Sequence, residues 1–552
     1  MRSFGLLHSL ILLLIAAFPV HAQESSQERG AWVPDNGNGT YRNPVIYADY
    51  SDPDVIRVGD DYYMTSSSFG HFPGLPILHS NDLVNWSIIG HAALHYPYEE
   101  FNEPQHGLAI WAPSIRYHDG EFFIYFGDPD RGVFMTKAKN PSGPWEPLRL
   151  IRKVTGWIDP CPLWDDDGNA YLVHAWANSR VGVKSILAVN RMKSDGTQIL
   201  DDGMVVFVGH MSHPTIEGPK FYKRNGYYYI FAPAGGVKTG WQTVLRSKNA
   251  FGPYEDKKVL EQGTTNVNGP HQGAWVDTKS GENWFIHFQD RYAYGRIVHL
   301  QPMRWENDWP VMGVDHDKNG VGEPVMSYKK PDVGKAFPIE IPQTSDEFKS
   351  PPLGLQWQWE GNGRNEWISL EARRGWLRLF PQRPTLKYKN LWNVPSLMVQ
   401  KFSAPAFSAT AKLDCASLSS AEKTGLLVFG LDYSYVGVRK TATGFTVMQS
   451  VCEKADKGMP EEIVASADIV SPEIYLRVEV KPENNVEIIP KVLCLFSYSV
   501  DGKLFHHLGK TFKAREGVWA GAKVGLFSMT TPEAAQFGYT DVDWFRIEPF
   551  KK

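Results

Sequence analysis

The sequence contains few of the features that mark a redox, nucleic-acid-binding or membrane protein. Its 552 residues include only four cysteines, and none forms a CxxC pair, which excludes the common zinc and thiol–disulfide motifs. The formal charge of −4 gives no reason to expect a nucleic-acid partner. Beyond the N-terminus no apolar run reaches the ~18 residues of a membrane helix. We therefore predict a protein with no nucleic-acid partner and no membrane span.

The cysteines that are present stand far apart in the chain. Cys161 stands beside Asp159 and is predicted to be a small buried residue there. For Cys415, Cys452 and Cys494 the sequence leaves two alternatives open, a disulfide between two of them or free thiols.

The first 22 residues have the pattern of a secretory signal peptide. A basic start at Arg2 is followed by a mostly apolar run to Phe18 and a small-residue end at Ala22. No cysteine lies near the expected cleavage after Ala22, which argues against a lipoprotein anchor. Residues 23–40 are polar and predict a flexible leader. We expect export to the periplasm or the medium.

An aromatic strand pattern recurs five times in the first part of the chain. Each copy follows a short turn rich in Asp, Gly or Asn, and the aligned aromatics are Tyr63, Phe123, Tyr171, Tyr229 and Phe285. Their separations are 60, 48, 58 and 56 residues. Five all-strand units of this size predict a five-bladed β-propeller.

The strand upstream of each aromatic carries a polar or aromatic residue in a shared register. Eleven to fourteen residues before the five aromatics stand Asp52, Trp111, Asp159, Glu217 and His271. The first strand of a propeller blade lines the central channel, so these side chains are predicted to converge on one axis. Three carboxylates meeting in a pocket form a candidate acid–base site.

The repeat ends in a Pro-rich stretch, and a different strand pattern follows. We predict an all-β protein with a propeller over residues 41–335, a linker over 336–345 and a second domain over 346–552. Short alternating strands such as 474–480 and 524–528 fit a β-sandwich. No catalytic constellation is visible in this second domain.

Three channel carboxylates can divide the work of breaking a glycosidic bond. Inversion needs an acid for the departing oxygen and a base for water, about 6.5–9.5 Å apart. Asp52 and Glu217 come from different blades and can be separated in this way, while Asp159 can raise the pKa of the acid by like-charge repulsion. Arg296 can bind sugar hydroxyls or a carboxylate. The alternative is a non-catalytic carbohydrate-binding propeller with a polar channel.

Several motifs resemble those of glycoside hydrolase family 43, a propeller with a C-terminal concanavalin-like sandwich. They are Asn43-Pro44, Ser51-Asp52-Pro53, Ser66-Ser67-Ser68-Phe69, Phe72-Pro73-Gly74, Ile110-Trp111-Ala112-Pro113, Ile158-Asp159, Glu217-Gly218-Pro219, His271-Gln272-Gly273 and Gly295-Arg296. The start of the second domain, Leu353-Gly354-Leu355-Gln356-Trp357, is similar as well. One departure is Pro160, where many relatives carry a small residue.

The resemblance implies a role for each matching residue. Asp52 would be the general base, Glu217 the general acid and Asp159 the residue that tunes and orients the acid. Arg296 would bind the terminal sugar, with Phe69 and Trp111 as walls, although Phe69 has an equal claim to be a core residue. His271 would lie near a water molecule or a calcium ion, and no metal or other cofactor is expected to be required.

The resemblance also implies a substrate class. Propellers with this sandwich trim single sugars from chain ends of an oligosaccharide or polysaccharide. We expect an exo-acting, inverting enzyme that releases terminal α-L-arabinofuranose from plant hemicellulose, and β-D-xylose as a second sugar. A β-D-xylosidase acting on xylo-oligosaccharides is the alternative.

Overall fold

The structure is a computed structural model that describes residues 30–385, 387–484, 488–534 and 537–550. The predicted signal peptide lies outside these residues. The described chain is built from short antiparallel strands, as the period-two patterns and frequent Gly-containing turns of the sequence favour. The prediction of an all-β protein with a five-bladed propeller and a sandwich is confirmed.

Each propeller blade is a four-stranded antiparallel sheet whose strands follow in chain order. A first strand, β1 (Thr40–Arg42), precedes the blades. Blade one contains β2 (Asp54–Val58), β3 (Asp61–Thr65), β4 (Gly74–Ser80) and β5 (Ser87–Ala93). Blade two contains β6 (Trp111–His118), β7 (Glu121–Asp128), β8 (Gly132–Ala138) and β9 (Arg149–Lys153). Blade three contains β10 (Trp157–Trp164), β11 (Ala170–Trp176), β12 (Ile186–Met192) and β13 (Met204–Val208).

The last two blades have the same plan. Blade four contains β14 (Lys220–Arg224), β15 (Tyr227–Ala234), β16 (Trp241–Ser247) and β17 (Glu255–Leu260). Blade five contains β18 (His271–Asp277), β19 (Asn283–Asp290), β20 (Arg296–Glu306) and β21 (Trp309–Met312). Strand β22 (Ser327–Lys329) then pairs with β1, so the two ends of the propeller segment meet. One short helix, α1 (Asn178–Val181), lies in blade three, and 3₁₀ turns span Glu99–Asn102 and Tyr292–Tyr294.

The aromatic repeat of the sequence marks the second strand of every blade. Tyr63, Phe123, Tyr171, Tyr229 and Phe285 lie in β3, β7, β11, β15 and β19. These rings pack between neighbouring blades; the Phe231 and Phe285 rings, for example, lie 6.4 Å apart across blades four and five. The repeat therefore arises because each blade buries the same strand face against the next.

The second domain is a sandwich of two antiparallel sheets. One sheet has the order β23 (Gln358–Trp359), β26 (Met398–Lys401), β36 (Lys523–Thr530), β28 (Glu422–Phe429), β29 (Tyr433–Lys440), β30 (Phe445–Cys452) and β31 (Glu462–Ile469). The other has the order β24 (Ile368–Ser369), β25 (Leu377–Leu379), β37 (Thr540–Pro549), β27 (Phe407–Asp414), β32 (Glu473–Pro482), β33 (Val492–Ser499) and β34 (His506–His507), with β35 (Phe512–Ala514) also on β33. Further 3₁₀ turns span Asn365–Trp367, Leu391–Asn393 and Ala455–Lys457.

The sandwich is bonded to the propeller through backbone and side-chain hydrogen bonds. Phe72 and Trp359 exchange backbone bonds of 3.2 and 2.7 Å. Asn362 accepts from the Tyr96 N–H at 2.7 Å and donates to the Tyr96 carbonyl at 3.0 Å. Tyr294 donates its hydroxyl hydrogen to the Pro405 carbonyl at 2.5 Å. Bonds of this kind fix one domain on the other, so a loop of the sandwich can serve as part of a propeller site.

Residues 23–40 were predicted to be a flexible leader, but residues 30–40 are bonded to the propeller. The Trp32 indole N–H donates to the Pro44 carbonyl at 2.8 Å. The Asp35 carboxylate, 8 % exposed, accepts from Lys330 and from Asn85. The polar residues of this segment therefore form hydrogen bonds and a buried ion pair with the propeller.

All four cysteines are buried free thiols, so the disulfide left open among Cys415, Cys452 and Cys494 does not form. Cys161 is fully buried as predicted, and its sulfur accepts a hydrogen bond from the Phe221 N–H at 3.2 Å. Within the described ranges, no helix combines the length and apolar character needed to cross a membrane.

Candidate active site

Two of the predicted carboxylates lie at points where the backbone leaves ordinary strand geometry. Asp52, just before β2, has φ 56°, and Asp159, inside β10, has φ 57°. The pairing register of β10 shifts between Ile158 and Cys161, which marks a β-bulge. A left-handed conformation costs a residue with a side chain about 1–2 kcal/mol, and such strain collects at functional sites. Pro160 is tolerated here because a bulge leaves a residue outside the ladder of hydrogen bonds.

The Asp52 carboxylate is held from both sides. The Ser67 hydroxyl donates to Oδ2 at 2.5 Å, and the same hydroxyl oxygen accepts from the Ala112 N–H at 2.7 Å. The Arg296 guanidinium lies 3.2 Å from Oδ1. Asp52 is 4 % exposed, so its orientation is fixed by these contacts rather than by solvent. The sequence displays Ser67 within a serine run but gives no sign of this role.

Arg296 belongs to β20 of blade five and is 8 % exposed. Its backbone N–H donates to the Asp49 carboxylate at 2.9 Å, which fixes the start of the strand. Burial lowers the pKa of Arg296, but the surrounding carboxylates, Asp52 first, outweigh burial and raise it. The guanidinium is therefore a permanent positive charge at the floor of the pocket.

Glu217 precedes β14, and its side chain is 33 % exposed. Its Oε1 lies 3.1 Å from the Nε2 of His271, which is fully buried at the start of β18. A hydrogen on His271 Nε2 would be donated to Oε1, which leaves Oε2 as the Glu217 oxygen that can carry a proton. His271 therefore contacts the carboxylate rather than open pocket space.

Asp159, the third predicted carboxylate, is buried and has a raised pKa. It is 2 % exposed, and its Oδ2 accepts from the Gly218 N–H at 2.7 Å. Burial raises the pKa of the Asp159 carboxyl well above its usual range, and the nearby Glu217 and Asp52 carboxylates add to the rise. The fully buried Lys220 ammonium, which donates to the Pro113 carbonyl at 2.8 Å, acts in the opposite direction.

Replacing Asp159 by Asn should stabilise the fold and impair activity. Because the folded-state pKa is raised above its ordinary value of 3.8, the ionised carboxyl costs stability as pH rises through that raised pKa. We expect Asp159→Asn to gain about 0.5–2 kcal/mol at neutral pH, to match wild type below about pH 3.8, and to lose at least ~10²-fold in kcat/KM. Thermal unfolding between pH 3 and pH 8 measures this.

Asp165→Asn is the matched control for this prediction. The Lys223 and Tyr228 side chains hold the pKa of Asp165 below its ordinary value despite the opposing effect of burial. Removing this charge should therefore destabilise the protein at neutral pH. Equal Tm values for Asp159→Asn and wild type across the whole pH range would contradict the buried-charge argument.

A loop of the sandwich closes one side of the pocket. The loop, residues 516–520, faces Arg296 and Tyr292 across a cavity of about 330 Å³. Trp519 has φ 62° and is 52 % exposed, and its ring centroid lies 5.9 Å from that of Trp111 in an edge arrangement. No local sequence pattern identifies residues 516–520 as the part of the sandwich that reaches the propeller site.

The two predicted aromatic walls differ in their exposure. Trp111 is half-buried and lies beside Trp519, and its indole N–H donates to the Gly107 carbonyl at 2.9 Å. Phe69 is only 4 % exposed and lies edge-on to Trp111 at 6.4 Å between centroids. The Phe69 ring therefore supports Trp111 from behind and offers little surface to a sugar.

The residues around His271 do not form a calcium cage. His271 Nδ1 is buried and has no protein hydrogen-bond partner. Ca²⁺ binds six to eight oxygen ligands, and an imidazole nitrogen is not one of them. Among the described residues, three or more His, Cys, Asp or Glu donors come together only elsewhere in the fold. A water molecule fits the unpaired Nδ1, and we assign no chemical step to calcium.

Comparisons with known proteins agree with this geometry over both domains. The model of glycosyl hydrolases family 43 matches residues 41–310, and that of the beta-xylosidase C-terminal concanavalin A-like domain matches residues 345–548. A putative beta-xylosidase of Xylanibacter ruminicola is 43 % identical over 503 residues, which cover 90 % of this chain and 87 % of that protein. A non-reducing end alpha-L-arabinofuranosidase of Bacteroides ovatus is 33 % identical over 417 residues, 70 % of this chain and 73 % of that protein.

The architecture also matches a solved structure. A GH43 protein from Bacillus licheniformis has a TM-score of 0.78 and 26 % identity, covering 93 % of this chain and 100 % of that chain. The family models, the relatives and the channel carboxylates point to one conclusion: the chain belongs to glycosyl hydrolases family 43.

Proposed function

We propose that the protein is an exo-acting, inverting glycosidase that removes one terminal pentose from hemicellulose, with β-D-xylosyl as the preferred unit. The observation that supports the proposal is the cavity of about 330 Å³ between Arg296 and residues 516–520, which meets the carboxylate site through the contact of Arg296 with Asp52. A cavity closed on one side by another domain admits a chain end, whereas an internal cleavage site needs an open groove. Its size is at the low end of small-ligand pockets.

The chemical step can be written with two carboxyl groups of the chain and one water molecule. Asp52 accepts a proton from water while the water oxygen attacks the anomeric carbon. Glu217 Oε2 gives its proton to the departing glycosidic oxygen as the bond from that oxygen to the anomeric carbon breaks. The products are the free pentose with inverted configuration and the shortened chain. Proton exchange with solvent returns Asp52 and Glu217 to their starting states.

The neighbouring residues hold these two groups in place. Ser67 and Arg296 orient the Asp52 carboxylate, and His271 orients that of Glu217. Asp159 places a buried carboxyl beside Glu217. Because two neighbouring carboxylates repel each other when both are ionised, the pair keeps one proton to a higher pH than an isolated carboxyl would. The Arg296 guanidinium pairs with the Asp52 carboxylate and also lines the cavity, where it can bind sugar hydroxyls.

Two sugars fit this scheme, and the relatives favour xylose. The C-terminal domain matches the model named for beta-xylosidases, and the 43 % identical relative is named a putative beta-xylosidase. We therefore place β-D-xylosyl ahead of the α-L-arabinofuranosyl unit that the sequence led us to expect first. Arabinofuranose stays the second candidate, supported by the 33 % identical relative named an arabinofuranosidase.

The substrate proposal is tested by kcat/KM for 4-nitrophenyl β-D-xyloside and 4-nitrophenyl α-L-arabinofuranoside, followed by xylobiose, arabinoxylan, xyloglucan and arabinan. We expect turnover of both aryl glycosides, with the xyloside faster, and release of monosaccharide only. A faster arabinofuranoside would reverse the order of the two sugars. Internal cleavage products would rule out exo action, and binding without hydrolysis would favour the non-catalytic propeller.

Trp519 is predicted to contribute to binding rather than to bond cleavage. Its exposed ring stands at the pocket beside Trp111, where a sugar can pack on it. We expect Trp519→Ala to raise KM for xylobiose about 10-fold, equivalent to about 1.4 kcal/mol, and to change kcat less than about threefold. Phe537→Ala is the control, because Phe537 is 54 % exposed in the same domain and does not line this cavity. A fall in kcat with constant KM would contradict the prediction.

A further inference from the structure

A second cluster of ionisable side chains lies where the two domains meet. His71 and His106 come from the propeller, and Glu360 comes from the sandwich. His71 Nε2 lies 3.2 Å and His106 Nδ1 lies 3.3 Å from the same oxygen, Glu360 Oε2. The side chains are 9 %, 11 % and 1 % exposed. In the described part of the chain, this is the group of His, Cys, Asp or Glu donors close enough to share a metal ion.

The outer nitrogens of both imidazoles are bonded to backbone carbonyls. His71 Nδ1 lies 2.9 Å from the Ser68 carbonyl oxygen, and His106 Nε2 lies 2.9 Å from that of Trp392. A carbonyl oxygen only accepts, so each outer nitrogen carries a hydrogen. The inner nitrogen then either carries a second hydrogen, as in an ion pair with Glu360 Oε2, or directs a lone pair at that oxygen, which is favourable only with a cation between them. Metal-binding histidines have this arrangement, with the second nitrogen on a carbonyl.

The distances also fit one small ion. With ligand bonds of about 2.0–2.1 Å, two neighbouring ligand atoms of a tetrahedral zinc site lie about 3.3–3.4 Å apart. The two observed N–O separations are 3.2 and 3.3 Å. The cavity at the cluster has a volume of about 10 Å³, close to that of a single water-sized sphere. Glu360 Oε1 is already bonded to the Lys523 ammonium at 2.9 Å, which leaves Oε2 for the ion.

We propose that His71, His106 and Glu360 bind one zinc-like divalent cation that fastens the sandwich to the propeller. Two imidazole nitrogens and one carboxylate oxygen are ligands that Zn²⁺ prefers. This site is separate from the channel and takes no part in bond cleavage. The same small cavity is lined by Val518 and Ala520 of the pocket loop, so the ion would brace that loop.

The test uses the full chain with a tag that contains no histidine. Chelator-treated protein is loaded with Zn²⁺ and dialysed, and its metal content is measured by mass spectrometry. Thermal unfolding is then followed with and without Zn²⁺. We expect one zinc per chain from this site and a Tm that rises by several degrees with zinc concentration. His106→Gln should lose both effects, and the control His79→Asn, a surface ion pair with Asp61, should keep both.

Two further results decide the proposal if His106→Gln does not fold. Co²⁺ in the wild-type protein should give the visible absorption of a four-coordinate nitrogen and oxygen site, and Glu360→Gln should abolish it. No zinc uptake by wild-type protein would overturn the proposal and leave the cluster as an ion-pair network. Zinc uptake that is unchanged in a folded His106→Gln or Glu360→Gln variant would also overturn it.

Discussion

Replacing Glu217 by Gln should slow the hydrolysis of xylobiose by about 10³-fold or more, while an activated aryl xyloside loses less than about 10-fold. The sugar leaving group of xylobiose needs the proton that Glu217 supplies. A 2,4-dinitrophenolate leaving group departs without that proton, so its cleavage should barely depend on residue 217. The measurement is kcat/KM for both substrates in wild type and in Glu217→Gln, with Tm as a check on folding.

The control for this variant is Glu255→Gln. Glu255 belongs to the same blade, but its side chain is 72 % exposed and pairs with Arg246 at the surface. We expect wild-type rates on both substrates. Equal losses on xylobiose and on the dinitrophenyl xyloside in Glu217→Gln would mean that Glu217 does not act as the acid.

Replacing Asp52 by Asn should abolish turnover of every substrate to a similar extent, by about 10³–10⁴-fold. Water must lose a proton whichever leaving group departs, so the rate on activated aryl glycosides should fall as much as the rate on xylobiose. Asn keeps the shape of Asp and one of its two oxygens, so one of the contacts to Ser67 and Arg296 is retained, and Tm checks that the fold is kept. The control is Asp60→Asn, whose side chain is 70 % exposed in the turn between β2 and β3. Wild-type turnover of the dinitrophenyl xyloside by Asp52→Asn would contradict the role of base.

Ser67 should have a graded effect on the same step. Its hydroxyl fixes Asp52 Oδ2 but touches no reacting atom in the proposed step, so it is a positioning residue. We expect Ser67→Ala to lower kcat about 10–100-fold with little change in KM, because a misplaced base costs rate rather than affinity. Ser67→Thr keeps a hydroxyl and should recover most of the rate. A higher KM with unchanged kcat in Ser67→Ala would contradict this assignment.

The propeller and its channel residues could be predicted from the sequence because they repeat. Each blade buries its second strand in the same way, so the aromatic residues recur at nearly equal spacing. The residue near the start of each first strand therefore points in the same direction relative to its blade. Asp52, Asp159 and Glu217 were found in this way. Arg296 lies in the third strand of its blade, outside that register, and was identified mainly through its family motif.

The remaining parts of the site depend on contacts between distant segments. Residues 516–520 meet Arg296 only because the sandwich docks on the propeller, and no local pattern encodes that docking. Trp32 and Asp35 looked like part of a polar leader, yet Trp32 bonds to Pro44, and Asp35 is buried beside Lys330. The raised pKa of Asp159 likewise follows from burial, which a single sequence does not display.

The proposed division of labour between Asp52 and Glu217 is tested most directly by the configuration of the first product. A proton NMR time course with 4-nitrophenyl β-D-xyloside and enough enzyme to outrun mutarotation identifies the anomer that is released. We predict α-xylose first, with β-xylose appearing later by mutarotation, because Asp52 activates water on the face opposite the leaving group. If β-xylose appears first, configuration is retained, and a carboxylate nucleophile must replace the proposed base.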